Sequence, residues 1–428
     1  EDVQGVAISS YQGGHVEYFT YLRELLDARG AGHVRIYGGG GGVIVPDEIA
    51  LLASRGVRIF SPEDGQRLGL VGMIETMVSE CDVPLTTDAP DLDDVLSGDP
   101  RALARAITLL EECCAPASWM ERIASAAAHR GTPVLGITGT GGSGKSTLTD
   151  ELLRRFRVDQ EGKLSIAVIA VDPTRRKGGG ALLGDRIRMN SLDLGSVFFR
   201  SLATRRSDSE IPSNLADVIA VCKATHDLVI VETPGIGQGD AGIVPFVDAS
   251  LYVMTPEFGA ASQLEKIDML DFADAVAINK FERRGAEDAR RDVARQLVRN
   301  REAFGKSWED MPVFGTSAAR FADDGVTSLY QYLRELLVDR GLKASGGLLP
   351  RVDVQQPTGL TTVVPPSRAR YLSEIAQTIR DYHRHTREQA QVARTSQHLG
   401  TALALLAEQG SQTGDVEALI ATTAANLD

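Results

Sequence analysis

One short segment of the sequence carries residues that could hold a chain of phosphates. Gly139–Ser146 reads Gly-Thr-Gly-Gly-Ser-Gly-Lys-Ser, and it lies between the apolar stretch Val134–Ile137 and helical sequence. Glycines let the backbone curl so that its N–H groups face phosphate oxygens, and the helix adds the positive end of its dipole. We expect Lys145 to bridge the β- and γ-phosphates and the Ser146 hydroxyl to bind Mg²⁺. The predicted nucleotide contacts here are Gly139, Gly141, Gly142, Ser143, Gly144, Lys145, Ser146 and Thr147.

Acidic residues at the ends of apolar stretches could complete a magnesium site. Glu232 ends one such stretch and is followed by Thr-Pro-Gly235, a variant of the Asp-x-x-Gly switch with Glu in place of Asp. An acid there can hold Mg²⁺ or its water, and the Gly235 amide can sense the γ-phosphate. Asp172 ends another apolar stretch, and Asp185 follows in a glycine-rich loop; both could bind Mg²⁺, or instead cap a helix or face solvent. The predicted catalytic residues are Lys145, Glu232 and Gly235.

A second pattern concerns the base of the nucleotide. Asn279-Lys280-Phe281-Glu282 follows an apolar stretch and is similar to the Asn-Lys-x-Asp sequence that recognises guanine. A carboxylate at its last position accepts hydrogen bonds from the ring N1–H and the exocyclic amine of guanine, whereas adenine presents the reverse pattern. Glu282 is one methylene longer than Asp and can make the same bonds if the loop adjusts. Ser317 and Ala318 fit a further base-contacting loop, so the sequence favours GTP and GDP.

The group that orients the attacking water is not evident. Ile236 follows the switch glycine, and it cannot orient water as the glutamine of small GTPases does. Intrinsic hydrolysis should therefore be slow, or the polarising group comes from elsewhere. The unranked candidates are Gln238, Arg175, Arg176 and Lys177.

These residues need a scaffold in which strands and helices alternate. Residues 1–77 predict a βαβαβα series, 78–131 a helical connector, and 132–345 a doubly wound α/β domain with the phosphate-binding loop. Residues 346–428 predict a linker and a helical arm, in which Leu372, Ile375, Ile379 and Tyr382 form a narrow apolar seam. The chain opens at Glu1 without an initiator Met and offers few strands for its first sheet, so we expect an internal piece of a longer protein.

Composition restricts the classes of partner. The formal net charge is −13, which disfavours binding to nucleic acid and to anionic membranes. No apolar run approaches the roughly 20 residues that span a bilayer. The four cysteines have no zinc-like spacing, so we expect reduced thiols in a cytoplasmic protein.

Several longer stretches resemble one family of nucleotide-binding proteins. The run Gly179–Met189 (Gly-Gly-Ala-Leu-Leu-Gly-Asp-Arg-Ile-Arg-Met), together with Asp172–Arg176 and Glu232–Gln238, resembles the G-protein chaperones of adenosylcobalamin-dependent acyl-CoA mutases. The resemblance covers roughly residues 130–345. It implies a GTPase that protects the mutase and gates cofactor loading. It also implies that the magnesium and switch residues are Ser146, Asp172, Asp185 and Glu232.

The first part of the chain resembles the later half of a cobalamin-binding domain. The matching stretches are Val6–His15 and Gly41–Pro46, and the motif of the cobalt's axial ligand, Asp-x-His-x-x-Gly, is absent. The resemblance implies cobalamin contacts at Ser9, Gly13, Gly14, Gly41 and Gly42. A cobalamin domain followed by this GTPase is the order in fused isobutyryl-CoA mutases, where the substrate barrel comes last.

The resemblance sets the expected cofactors and partners. The cofactors are Mg²⁺, GTP or GDP, and adenosylcobalamin in the complete protein; the partners are an acyl-CoA mutase domain and a second copy in a homodimer. The parent protein is expected to be an isobutyryl-CoA mutase, an isomerase, while this chain alone should not isomerise an acyl-CoA. Two alternatives stay open: a nickel-insertion type of metallochaperone GTPase, which needs a Cys/His site, and a cobalamin carrier with a degenerate GTPase.

Overall fold

The computed structural model describes residues 3–10, 13–40, 42–83, 89–172, 189–192, 196–204, 211–235, 240–258, 264, 267–358 and 371–425. The chain forms two compact units, Glu1–Thr358 and Gly359–Asp428.

The first part of the larger unit is a three-stranded parallel sheet in the order β1-β2-β3. Its elements are β1 (Gly5–Ser9), α1 (His15–Ala28), β2 (Arg35–Gly39), α2 (Pro46–Ser54), β3 (Val57–Phe60) and α3 (Pro62–Cys81). This confirms the predicted βαβαβα series. β2 continues through Gly38 and Gly39, and a side chain at Gly38 would overlap Phe19 and Ile59 of the core. α3 breaks at Gly69, where φ is +63°.

The connector contains three helices, α4 (Leu92–Ser97), α5 (Pro100–Glu111) and α6 (Ala117–Arg130). α4 lies in the acidic, proline-containing first part of the predicted helical connector. Asp91 caps α4 by accepting a hydrogen bond from the Asp93 amide, and Val95 is buried in the cluster that α5 and α6 also join. The connector therefore packs against the next sheet.

The second sheet contains seven strands among the described residues, all parallel, in the order β10-β9-β8-β4-β7-β5-β6. The strands are β4 (Val134–Gly139), β5 (Ile166–Asp172), β6 (Val197–Ala203), β7 (Leu228–Glu232), β8 (Ala249–Met254), β9 (Ala275–Asn279) and β10 (Val313–Thr316). The helices are α7 (Lys145–Asp159), α8 (Leu215–Thr225), α9 (Met269–Phe272), α10 (Ala286–Asn300) and α11 (Asp324–Asp339), with short 3-10 turns at Asp240–Phe246, Pro256–Phe258 and Trp308–Asp310. Separate apolar clusters cover the two faces of the sheet, so the doubly wound α/β prediction is confirmed.

The strand order places the predicted chemistry at one edge. β4 lies between β7 and β8, and the loop that leads into α7 leaves its carboxyl end. The stretches that contain Asp172, Glu232, Asn279 and Ser317 follow the carboxyl ends of other strands in the same parallel sheet. In open α/β sheets ligands bind outside the carboxyl ends of the strands. The strand order therefore brings the predicted residues to the edge where a ligand is expected.

A buried carboxylate extends the larger unit beyond residue 345. Asp159, at the end of α7, accepts hydrogen bonds from the Tyr330 hydroxyl (2.6 Å), an Arg334 guanidinium nitrogen (2.9 Å) and the Leu349 amide (2.7 Å). Burial alone would raise the pKa of the Asp159 carboxyl, but these donors outweigh it and the pKa is lowered. The segment near Leu349 is thereby fixed to α7 and α11.

The second unit contains α12 (Tyr371–Glu408) and α13 (Gly414–Ala424). Of the predicted apolar seam, Ile375, Ile379 and Tyr382 are exposed on α12. None of the helices in the described ranges is long and apolar enough to cross a membrane.

Candidate functional site

The loop between β4 and α7 has a backbone that only glycine allows at several points. Gly139, Gly142 and Gly144 have φ of +143°, +73° and +86°. An added side chain at Gly139 would overlap the Val253 main chain, and one at Gly144 would meet the Asn279 amide. The glycines therefore let the loop curl between β8 and the end of β9.

Lys145 lies inside this curled loop. Its ammonium donates hydrogen bonds to the Gly139 carbonyl (2.9 Å) and the Thr140 carbonyl (3.2 Å), and the residue is 7% exposed. The buried hydroxyls of Thr140 and Ser143 have no hydrogen-bond partner in the part of the chain that the structure describes. A buried polar atom without a partner is costly, and phosphate oxygens are suitable acceptors for both hydroxyls. The loop residues thus fit a polyphosphate.

Ser146 and Glu232 come together at the start of α7. The Ser146 hydroxyl donates to Glu232 Oε1 at 2.6 Å, and the Thr149 hydroxyl donates to Glu232 Oε2 at 3.1 Å. Glu232 is 3% exposed and pairs in register with Ile137 of β4. A hydroxyl and a carboxylate are oxygen ligands of the kind that Mg²⁺ takes, commonly with one or two carboxylates and phosphate oxygens. These residues fit the predicted metal.

Asp172 lies on the neighbouring strand at the same edge. It ends β5 two residues beyond Ala170, which pairs in register with Glu232, and its side chain is buried. Asp185, the remaining predicted magnesium ligand, lies outside the described residues. Within the described ranges, no three or more His, Cys, Asp or Glu side chains form a cluster that could hold a metal ion.

The predicted base-reading residues also meet. Asn279 is 2% exposed; its side-chain amide donates to the Ser143 carbonyl at 2.7 Å, and its Oδ1 accepts hydrogen bonds from the Thr316 hydroxyl and the Ala318 amide. Lys280, in the left-handed region at φ +59°, donates to the Gly142 carbonyl at 2.7 Å. These bonds attach the Asn-Lys pair directly to the phosphate-binding loop.

Glu282, the last residue of the predicted base-reading segment, is exposed. Its Oε2 accepts a hydrogen bond from the Ser317 hydroxyl at 2.7 Å. The longer side chain of Glu is thus held at the loop where the sequence predicted the second base contact.

Gly235 lies across the mouth of the phosphate-binding loop. Its φ is +65°, and an added side chain would overlap the Gly139 carbonyl and the Lys145 ammonium. Only glycine can bring the backbone after β7 this close to the lysine. The candidates for orienting water, Gln238, Arg175, Arg176 and Lys177, and also Ile236, lie outside the described residues.

The remaining predicted phosphate contacts are exposed to solvent. Thr147 is exposed on the first turn of α7, and Gly141 and Gly142 are exposed in the loop.

The first sheet has a cavity of its own at the carboxyl ends of its strands. The cavity has a volume of about 460 Å³, and Ser9, Tyr37, Phe60 and the run Gly38–Gly40 contribute to its lining. Of the predicted cobalamin contacts, Ser9 lies on this lining; Gly13 and Gly14 lie at the start of α1 and Gly42 before α2, and Gly41 is outside the described residues.

The family model of the methylmalonyl-CoA mutase-associated GTPase MeaB matches residues 103–364, which include every described residue of the nucleotide site. The chain belongs to the MeaB family. It is 63% identical over 429 aligned residues to the fused isobutyryl-CoA mutase of Nocardia farcinica, covering 100% of this chain and 40% of that protein. It is 60% identical to the fused isobutyryl-CoA mutase of Cupriavidus metallidurans, covering 98% of this chain and 39% of that protein. It is also 35% identical to the GTPase ArgK of Escherichia coli over 34% of this chain and 44% of that protein. The chain thus spans about two fifths of the length of the two fused relatives.

The MeaB-family site includes residues that the sequence analysis did not assign. Thr149 holds the second oxygen of Glu232, and Asp323 holds the Ser317 amide at 3.3 Å. A threonine in a helix and an aspartate six residues after Ser317 carry no motif, so only the folded chain shows their roles. Thr316, directly before Ser317 in the sequence, donates a hydrogen bond to Asn279.

Proposed function

We propose that this chain binds Mg²⁺–GTP, hydrolyses it, and uses the cycle to gate adenosylcobalamin loading and protection of an attached acyl-CoA mutase. The observation that carries the nucleotide part is the meeting of Ser146 and Glu232 beside the loop that holds Lys145. The mutase part is supported by the MeaB family match and by the two relatives named as fused isobutyryl-CoA mutases. These names favour a mutase-associated role over nickel insertion.

Different residues contact the phosphates, the metal ion and the γ-phosphate in the proposed complex. The backbone amides of the loop and the Lys145 ammonium bind the phosphates and neutralise their charge. Ser146 and Glu232 would hold Mg²⁺, with Asp172 and Asp185 as further candidates; the bound metal supplies electrostatic stabilisation of the charge that develops during phosphoryl transfer. Gly235 leaves its amide beside the lysine, where it can respond to a γ-phosphate.

The base end selects the nucleotide. Asn279 and Lys280 fix the base-reading segment to the loop, and the Glu282 carboxylate is presented to accept hydrogen bonds from the N1–H and amine of guanine. Ser317 donates to one oxygen of this carboxylate, which orients it. We therefore assign GTP and GDP, rather than adenine nucleotides, as ligands.

GTP turnover tests the hydrolytic part. Mg²⁺-dependent phosphate release from GTP and ATP is compared for the wild type, Lys145→Ala and the surface variant Lys163→Ala. We expect GTP turnover in the wild type and in Lys163→Ala, and its loss in Lys145→Ala. Equal turnover in Lys145→Ala and the wild type would remove this proposal.

Cobalamin binding tests the gating part. We propose that the cavity beside Gly38–Gly40 accepts the nucleotide tail of cobalamin, since small residues let an extended ligand lie against the backbone. The chain is titrated with adenosylcobalamin in the presence of GDP or a non-hydrolysable GTP analogue, and cobalamin absorbance is followed. Gating requires different affinities in the two nucleotide states, and equal affinities contradict it.

A further inference from the structure

Asp323 connects the base-reading loop to the helix that follows it. Its Oδ1 accepts a hydrogen bond from the Val326 amide at 2.9 Å, the usual bond of a helix N-cap, and a second from the Ser317 amide at 3.3 Å. The residue is 6% exposed. A cap needs only the first of these bonds, so the second one has another consequence: it ties the loop of Ser317 to the start of α11.

The same residue is also attached to the phosphate-binding helix. An Arg155 guanidinium nitrogen donates to the Asp323 carbonyl at 3.1 Å, and the Arg155 Nε donates to the Thr327 hydroxyl at 3.1 Å. Arg155 lies on α7, ten residues after Lys145, is 6% exposed, and pairs with Glu151 at 2.6 Å. The start of α11 is therefore held in a fixed position relative to α7.

Both attachments converge on the atoms that face the base. Ser317 places its hydroxyl on Glu282, and the next amide, of Ala318, donates to Asn279 at 3.2 Å. A shift of the Ser317 main chain would displace both contacts at once. Among the contacts described, the side chain that accepts a hydrogen bond from the Ser317 amide is that of Asp323.

We propose that Asp323 is a positioning residue that sets guanine affinity, because it holds the Ser317–Ala318 loop in register with the phosphate-binding helix. This inference rests on the proposed function, and Asp323 itself touches no nucleotide. Burial raises the pKa of its carboxyl, and the two amide donors oppose that rise. An uncharged cap would avoid the burial of a charge, so the additional bond to Ser317 gives a reason for aspartate at this position.

Two substitutions separate capping from positioning. Asp323→Ser keeps a good N-cap, but its shorter side chain cannot accept from both amides; Asp323→Asn keeps an acceptor of the same reach. The matched control is Asp99→Ser, because Asp99 caps α5 through the Ala102 amide at 2.7 Å and lies in the connector. All three variants keep a capping side chain, so they are expected to fold.

Nucleotide affinity is measured by calorimetry with GDP and with IDP, whose base lacks the exocyclic amine. For Asp323→Ser we expect the GDP Kd to rise about tenfold, equivalent to the loss of one buried hydrogen bond, and the preference for GDP over IDP to shrink. The KM for GTP should rise with it while kcat is retained. Asp323→Asn should restore the GDP Kd to within about threefold of the wild type, and Asp99→Ser should match the wild type.

Each other outcome overturns the proposal. If Asp323→Ser keeps the wild-type GDP Kd, Asp323 is only a cap. If GDP and IDP weaken by the same factor, and thermal stability falls with them, the effect is general destabilisation. A wild-type protein that binds neither GDP nor IDP removes the proposed function itself, which the wild-type titration shows separately.

Discussion

The Ser146 hydroxyl donates a 2.6 Å hydrogen bond to Oε1 of Glu232, so the first turn of α7 and the end of β7 meet at one buried carboxylate. The other oxygen of that carboxylate accepts from Thr149. Both oxygens are thus oriented by hydroxyls of the helix that begins with the phosphate-binding lysine. A carboxylate held in this way would need little reorganisation to bind the metal ion of the proposed function.

Glu232→Gln should separate metal binding from folding. Glutamine has the same size and can still accept a hydrogen bond from a hydroxyl, but its neutral amide is a poorer ligand for Mg²⁺. We expect GTP turnover to fall by about 100-fold or more, the range for removing one preorganised electrostatic contributor, and the dependence of GDP affinity on Mg²⁺ to weaken. Phosphate release and calorimetry with and without EDTA measure these effects.

A matched control for this change is Glu111→Gln. Glu111 is a half-buried carboxylate at the end of α5 in the connector, away from the loop of Lys145. It pairs with Arg200 of β6 at 2.6 Å. Its replacement should alter stability but leave magnesium dependence as in the wild type. Turnover with normal magnesium dependence in Glu232→Gln would show that this carboxylate does not serve the metal.

The centre of this site could be predicted because its residues lie where strands end. Glu232 and Asn279 each close an apolar stretch, and a parallel sheet brings such ends to one edge whatever their separation in sequence. The local sequence pattern was therefore enough to predict where the candidate phosphate and base loops lie in the chain. The resemblance to known mutase chaperones then supplied the partner.

The parts that could not be predicted depend on long-range packing. α4 has an acidic composition typical of a loop. It is helical because Leu92 and Val95 are buried in the apolar cluster that it shares with α5, α6 and the second sheet. Thr149 and Asp323 act through atoms that only the folded chain brings near Glu232 and Ser317. No spacing rule along the sequence encodes these contacts.

Gly235→Ala should abolish nucleotide turnover. At φ +65° an alanine is strained, and its methyl group would overlap the Gly139 carbonyl and the Lys145 ammonium, so either the lysine or the loop must move. Gly131→Ala is the control, because Gly131 has the same φ of +65° but no atom within 4 Å of an added side chain. Both variants pay the backbone strain, of about 1 kcal/mol, while only Gly235→Ala should lose GTP turnover. Equal turnover in the two variants would contradict the crowding at Lys145.

His226 provides a further test, away from the site. It lies just before β7 with 6% exposure; its Nδ1 is 2.8 Å from the Thr225 hydroxyl, and its ring lies against Phe198. Burial lowers the pKa of the imidazole from its usual 6.5 to about 4. Arg130 also lowers this pKa, while the Cys222 backbone and Asp227 oppose the shift.

The free energy of unfolding should therefore fall as the pH drops from 7 to 5. Above about pH 6.5 the imidazole is neutral in both the folded and the unfolded chain and contributes no pH dependence. Below about pH 6.5 the imidazole of the unfolded chain binds a proton, whereas that of the folded chain binds one only near pH 4. Protonation therefore favours unfolding. The expected loss of unfolding free energy by pH 5 is about 2 kcal/mol, from 1.36 kcal/mol per pKa unit.

Urea unfolding at pH 7, 6 and 5 measures this loss. Most carboxyl groups titrate below this pH range. His226→Gln removes the titrating group. Between pH 7 and pH 5 its unfolding free energy should therefore fall by about 2 kcal/mol less than that of the wild type. Parallel pH profiles for the wild type and His226→Gln would show that the imidazole is protonated equally in both states.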